Sequence, residues 1–312
     1  MWWSRRSTRS CAATGERPRT PVSRGAARAL APYLFIAPAM VGLGLFKLYP
    51  IVAGLRLSFY EVRLIARRLD FIGLANYAEL IHDPVIWKAT ANTVLFNLVV
   101  TPVQVVLALG LAVLVNRQLR GMAAFRSVYF VPAVISLVVA SIVWKLMYAP
   151  DNGLLNGALH ALGLPRQTFL TSTTQAMASV MLMVVWKGVG YWMVILVAGL
   201  KEIPEAIHEA ARVDGAGPIR RFTAVTLPLL TPALLFVAVA DTAINFLLFV
   251  PVYVMTQGGP SDSTTLLMFE VYRNAFVYTR FGYASAVSTL LLVVIAGAVV
   301  LQIRFLRVEF EY

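Results

Sequence analysis

The chain has 312 residues, 59% of them hydrophobic and only 13% charged, with a formal net charge of +12 and a mean hydropathy of +0.74. Soluble domains carry about 45–50% apolar and about 25% charged residues, so this composition needs lipid as the solvent for much of its surface. A single cysteine, Cys11, excludes a disulfide framework or a multi-thiolate metal site.

His82, His160 and His208 lie far apart, without metal-binding spacing, so neither a metal nor a cofactor is expected. The positive charge does not point to nucleic acid, because it is concentrated at one end. Arg5, Arg6, Arg9, Arg17, Arg19, Arg24 and Arg28 all precede the first apolar segment. With the Ser, Thr, Gly and Pro around them, residues 1–29 read as a disordered cytoplasmic tail. Ser4-Arg5-Arg6 bears a faint likeness to a twin-arginine signal, but the apolar stretch that follows is too long and lacks a clear cleavage site.

Six apolar segments follow, at about Leu30–Phe59, Ala91–Val115, Phe125–Tyr148, Ala176–Leu200, Val225–Met255 and Tyr283–Phe305. Each is long enough to cross a hydrocarbon core of about 30 Å as a helix. The prolines inside them, such as Pro102, Pro132 and Pro232, are tolerated where neighbours re-satisfy the backbone. No segment alternates with period two, so strands are not expected. The fold class is all-α integral membrane with six transmembrane helices, in one domain over 30–312. Lys and Arg number 16 in the connections on the N-terminal side and 7 on the other. The positive-inside rule then places both termini in the cytoplasm of a multi-pass plasma (inner) membrane protein.

The fourth connection, KEIPEAIHEAARVDGAGPIRRFTAVTLP, is the most informative. Pro204 suits a first helical turn, Glu205 to Val213 are helix formers, and Gly215 and Gly217 suit a stop and a tight turn. A short surface helix is expected, then a turn and a second helical stretch leading into the fifth span. From these residues alone, a solvated loop held by its own charge pairs fits as well as a docking element. Glu209-Ala210-Ala211, Gly215 and Val225-Thr226-Leu227-Pro228, however, resemble in type and spacing the EAA signature of binding-protein-dependent ABC importer permeases, with Val225 where that family prefers Ile. The resemblance implies a type I ABC importer permease fold, with its core over about 91–305. It also implies a coupling helix that docks on an ATP-binding subunit through Glu205, Glu209, Ala210, Ala211, Asp214 and Gly215.

Tyr49-Pro50, Phe71 to Leu74, Asn76-Tyr77, Asn92-Thr93, Asn152-Gly153, Asn156, Gly258-Gly259-Pro260, Thr264-Thr265 and Gly282 to Ala286 extend the likeness to carbohydrate-type permeases. They resemble the first permease of maltose and glycerol-phosphate uptake systems. Such a subunit forms half of a pathway for a sugar, a polyol or glycerol phosphate. The implied partners are a second permease, an ATP-binding subunit dimer and an extracytoplasmic solute-binding protein. The chain has no Gly-x-x-x-x-Gly-Lys-Ser/Thr loop, so ATP hydrolysis is assigned to a separate subunit and the chain is not read as an enzyme.

Lys187 and Asp241 fall near the middle of the fourth and fifth spans, where charges face a cavity or a partner. They either line one polar cavity or form a structural ion pair. Asp241 and Asn245 share a helical face that suits hydroxyl groups. The resemblance places Asp241, Asn245, Trp186, Val189 and Gly190 at substrate-contacting positions, with Trp186 able to stack on a sugar ring. Lys145, Lys47 and Arg56 are expected to snorkel. Two rival classes are an ion-coupled secondary transporter, which would need no docking helix, and a membrane-embedded enzyme on lipid-linked sugars, which would need an interfacial carboxylate or histidine cluster.

Overall fold

The computed structural model describes residues 24–63, 68–116 and 121–306. The basic tail before residue 24, the hairpin tip, part of the second connection and the last six residues lie outside the described residues. So do the disorder and the twin-arginine likeness read for the tail. The chain divides into two compact units, Met1–Val52 and Ala53–Tyr312.

Helix α1 begins at Arg24, earlier than the tail boundary expected at residue 29, and carries the apolar run Pro32–Leu57 with a π-helical stretch at Gly44–Leu48. A short antiparallel hairpin follows, β1 (Tyr60–Arg63) with β2 (Arg68–Phe71), Glu61 opposite Asp70. No strand is expected from the alternation test, which looks for ten-residue barrel strands and passes over four-residue ones. Helix α2 (Ala75–His82) leads into α3 (Pro84–Val115), a 32-residue span. The start of α3 lies two turns before the apolar run because Asp83 caps it, accepting from the amides of Val85 at 2.9 Å and Ile86 at 3.4 Å, with Pro84 in the first turn.

The third apolar segment is not one straight helix. Helices α4 (Met122–Val134) and α5 (Leu137–Met147) meet at 94° across Ile135 and Ser136. Pro132 removes one amide donor just before the break. The carbonyls left free there are taken by the Lys187 ammonium, which donates to Pro132 O at 3.2 Å, Ala133 O at 3.2 Å and Ile135 O at 2.8 Å. A cation at a helix C-terminus also complements the helix dipole.

A short α6 (Leu154–Ala161) precedes α7 (Ala176–Glu202), the most buried span. Helix α8 (Glu205–Val213) lies in the fourth connection, and α9 runs over Pro218–Phe246 through a π-helical stretch at Phe222–Thr226. The expected fifth segment reached Met255, but the helix stops at Phe246 and resumes at Val250. Pro251 sits at the resumption, where its missing donor costs nothing. Then come α10 (Leu267–Tyr272) and α11 (Phe281–Leu306). Five helices among the described residues are long and apolar enough to cross a membrane, six if the bent pair is one span.

Lipid is as apolar as leucine, so spans associate through close packing and internal polar bonds rather than hydrophobic burial. Helix α7 packs against α3, α4 and α9, and its glycines make this possible. A Cβ at Gly190 would overlap the Tyr129 carbonyl of α4, and one at Gly199 would sit 2.9 Å from the Ala233 Cβ of α9. Gly190→Ala is therefore expected to destabilise the fold by about 1–3 kcal/mol, because a backbone carbonyl cannot rotate away. Gly297→Ala, with open space around its Cβ, should be neutral. Melting in detergent distinguishes them, and equal melting temperatures would refute the close-packing role. In the same assay Lys187→Met should lower stability by about 1–3 kcal/mol or more, since three carbonyls lose their donor.

Candidate functional site

Helices α3, α4, α5, α7 and α9 line a cleft of ≈ 190 Å3. Its walls are mostly apolar, from Ala133, Leu137, Val184, Ile244 and Leu248, with Tyr191 among the lining residues. Its polar groups are Gln104, Lys187, Trp192, Asp241 and Asn245. Asp241 is 2% exposed. The Trp192 indole donates to its Oδ1 at 2.7 Å, while Oδ2 is buried without a hydrogen-bond partner. Asn245 Nδ2 donates to Thr101 Oγ1 and to Gln104 Oε1, both at 3.3 Å, and Gln104 Nε2 donates to Val184 O at 3.0 Å. A polar floor in an apolar cleft is the usual design of a small-molecule site. The free carboxylate oxygen calls for a donor, since a buried acceptor left unmade costs about 1–3 kcal/mol.

Of the expected pathway residues, Lys187, Asp241 and Asn245 line this cleft together. No ion pair joins Lys187 to Asp241, so the structural pair is replaced by two separate anchors: carbonyls for the lysine, an indole for the aspartate. Trp186 points elsewhere, with its ring 5.5 Å from that of Trp144 in an apolar cluster. Val189 packs against another apolar cluster, and Gly190 serves the α4 contact. Neither lines the cleft. Gln104, Tyr191 and Trp192 are residues that sequence reasoning missed. A lone glutamine amid the apolar run of α3 was the available signal; nothing in the sequence pairs Trp192 with Asp241. Lys145 also does more than snorkel, donating to Val254 O at 3.0 Å.

The expected surface helix has the expected bounds, Glu205–Val213, and none of its residues is buried. It ends in a Schellman pattern: the amide of Ala216 donates to Ala211 O at 2.9 Å, and that of Gly215 to Arg212 O at 3.1 Å. This turn needs the left-handed backbone of Gly215, at φ 76°. Glu205 is tied to Arg212 at 2.6 Å, whereas Glu209 makes no hydrogen bond or ion pair among the described residues. Ala210 and Asp214 are exposed, and Ala211 is half-buried. The helix thus presents a free carboxylate beside a small Ala-Ala patch.

Several sequence motifs turn out to be bolts at the other end of the spans. Asn92 Nδ2 donates to the carbonyls of Asp262 at 3.2 Å, Ser263 at 3.4 Å and Thr265 at 3.0 Å. Thr93 Oγ1 accepts from the amide of Leu267 at 2.9 Å. Thr265 Oγ1 and Arg273 Nη1 each donate to Glu270 Oε1 at 2.9 Å. Burial pushes the Glu270 carboxyl above its usual range, against the pull of Thr265 and Arg273. Asn76 Nδ2 donates to Ser58 O at 2.8 Å and Tyr60 O at 3.2 Å, and a Cβ at Gly282 would overlap the Tyr60 carbonyl. Asn156 bridges Pro150 O and Gln167. Among the described residues no group of three or more His, Cys, Asp or Glu side chains is placed to hold a metal.

Residues 90–307 match the family model described as "Binding-protein-dependent transport system inner membrane component". The chain is 37% identical over 281 residues to the probable ABC transporter permease protein YurN of Bacillus subtilis, covering 88% of this chain and 96% of that one. It is 37% identical over 276 residues to the lactose transport system permease protein LacF of Rhizobium radiobacter, covering 86% and 92%. A crystal structure of a bacterial alginate ABC transporter, in complex with an alginate pentasaccharide-bound periplasmic protein, contains a chain of the same fold, with a TM-score of 0.73 at 22% identity over 92% of this chain and 97% of that one. The chain therefore belongs to the family of inner membrane permease components of binding-protein-dependent ABC transport systems.

Proposed function

We propose that this permease lines half of the translocation pathway of an importer for a sugar or a related polyol or glycerol phosphate. The observation that carries this reading is the Asp241 carboxylate, held by Trp192 on one oxygen and unpartnered on the other, in an apolar-walled cleft with Asn245 beside it. Hydroxyl groups can donate to that oxygen and exchange hydrogen bonds with the amide. The lactose permease relative supports a carbohydrate. The partners are a second permease supplying the other half of the pathway, an ATP-binding subunit dimer and an extracytoplasmic solute-binding protein. Glu209, with Ala210, Ala211, Asp214 and the Gly215 turn, docks α8 on the ATP-binding subunit. Glu205 supports the helix through Arg212. Both termini face the cytoplasm.

In the importer reconstituted with its binding protein, Asp241→Ala should lower the uptake of that protein's bound sugar by roughly tenfold to a hundredfold, the value of one charge-assisted hydrogen bond. The complex should remain assembled, because Trp192 loses only one acceptor. Uptake unchanged in this variant would remove Asp241 from the pathway.

Truncating one partner of a buried interface charge pair costs about 2–5 kcal/mol. Glu209→Ala should therefore leave the protein inserted but weaken retention of the ATP-binding subunit by tenfold or more, on the order of that cost. Glu205→Ala should be milder. Wild-type retention and coupling in the Glu209 variant would sink the docking assignment.

For topology, a reporter fused after Tyr312 should be cytoplasmic and one inserted near Asp262 extracytoplasmic. Opposite signals at both sites would overturn the orientation.

A further inference from the structure

A separate cavity of ≈ 250 Å3 is lined by Arg126, Met193, Val194, Val197, Ala198 and Lys201. It lies where α4 begins and α7 ends, at the end of the spans that carries α8. Val194, Val197, Ala198 and Lys201 follow one another at helical spacing, so three apolar groups and a terminal cation share one face. Val194 is 43% exposed and Ala198 and Lys201 are exposed, while Met193 and Val197 form a buried floor. The groove opens to the outside of the chain along its apolar part.

The two cations are available in different ways. Arg126 Nη2 donates to Val115 O at 2.8 Å, which closes the last turn of α3 and fixes the guanidinium. Its Nε is buried without a partner. Lys201 makes no hydrogen bond or ion pair among the described residues. Among the described residues no acidic side chain lines the cavity. Two cations that line one cavity without a facing acid among the described residues fit a phosphodiester, which Arg binds well. Their position beside an exposed apolar groove, where a span leaves the hydrocarbon, fits the glycerol and acyl chain attached to that phosphodiester.

We propose that this groove is a binding site for an anionic phospholipid, with the headgroup phosphate between Arg126 and Lys201 and an acyl chain along Val194, Val197 and Ala198. The site is independent of the substrate cleft and of the docking assignment. Free phosphate would use only half of it, and a protein occupant would have to supply both an acid and an apolar ridge.

The test is native mass spectrometry of the assembled, delipidated importer titrated with phosphatidylglycerol or phosphatidylcholine of matched chains. Phosphatidylglycerol should be retained preferentially, and inorganic phosphate should not displace it. Lys201→Gln should weaken retention about fivefold, and the Arg126→Gln, Lys201→Gln double variant roughly thirtyfold, taking each cation at its usual value near an anionic surface. Because Arg126 also caps α3, the single Lys201 variant decides the matter if the double variant fails to fold. Equal retention of the two lipids, unchanged retention in Lys201→Gln, or displacement by inorganic phosphate would overturn the proposal. So would disulfide capture of Ala198→Cys by a neighbouring subunit, which would make the groove a protein interface.

Discussion

A backbone that changes direction inside a membrane frees carbonyl groups that water cannot reach, and each must find a donor within the protein. Here the change of direction is the 94° bend between α4 and α5, and the donor is one lysine on α7. Much of the rest follows from that arrangement. The bend carries Ala133 and Leu137 to the cleft wall, and the contact with α7 is close enough that position 190 must lack a side chain. Lys187 is thereby fixed with its charge spread over three dipoles, and Asp241 has no ion pair with it, its carboxylate accepting from the Trp192 indole. The polarity of the cleft is thus a by-product of how the bend is held.

The two ends of the spans are built on different terms. At the end carrying the 256–267 loop, the half-buried Asn92 and the buried Thr93 bind backbone carbonyls and an amide, so that chain segments about 170 residues apart in sequence are bolted together. Such side chain–backbone bonds lock a loop without asking for a partner. At the other end α8 has no buried residue, and its glutamate at position 209 makes no hydrogen bond or ion pair among the described residues.

How much of this was legible in the sequence depends on whether the determinant is local. Apolar run length locates the spans, and Pro204 with Gly215 sets the bounds of α8 to the residue, because caps are local chemistry. The Asp83 cap moved the start of α3 outward, and Leu247 to Phe249 interrupted the fifth segment, both beyond what hydropathy resolves. The bend could not be seen. Membrane helices commonly pass through a proline, and the donor that satisfies the carbonyls at this break, Lys187, lies some fifty residues away. For the site, charge at mid-membrane singles out Lys187 and Asp241, which both line the cleft, while the motif at positions 186 to 190 mixes packing residues with them. Asn92, Asn76 and Asn156 were recognisable only as family marks; their bolting role needs the fold.

Helix α9 extends without interruption from the turn that follows α8 to the floor of the cleft. Asp241 lies 23 residues beyond Pro218, about 35 Å along the axis at 1.5 Å per residue. A rod of that length is a lever: a tilt of about 5° at the α8 end would sweep the far end through roughly 3 Å. That displacement is comparable with the whole length of the Trp192–Asp241 hydrogen bond. The carboxylate is anchored on α7 yet carried by α9, so a small rotation at the loop end would act on that one bond.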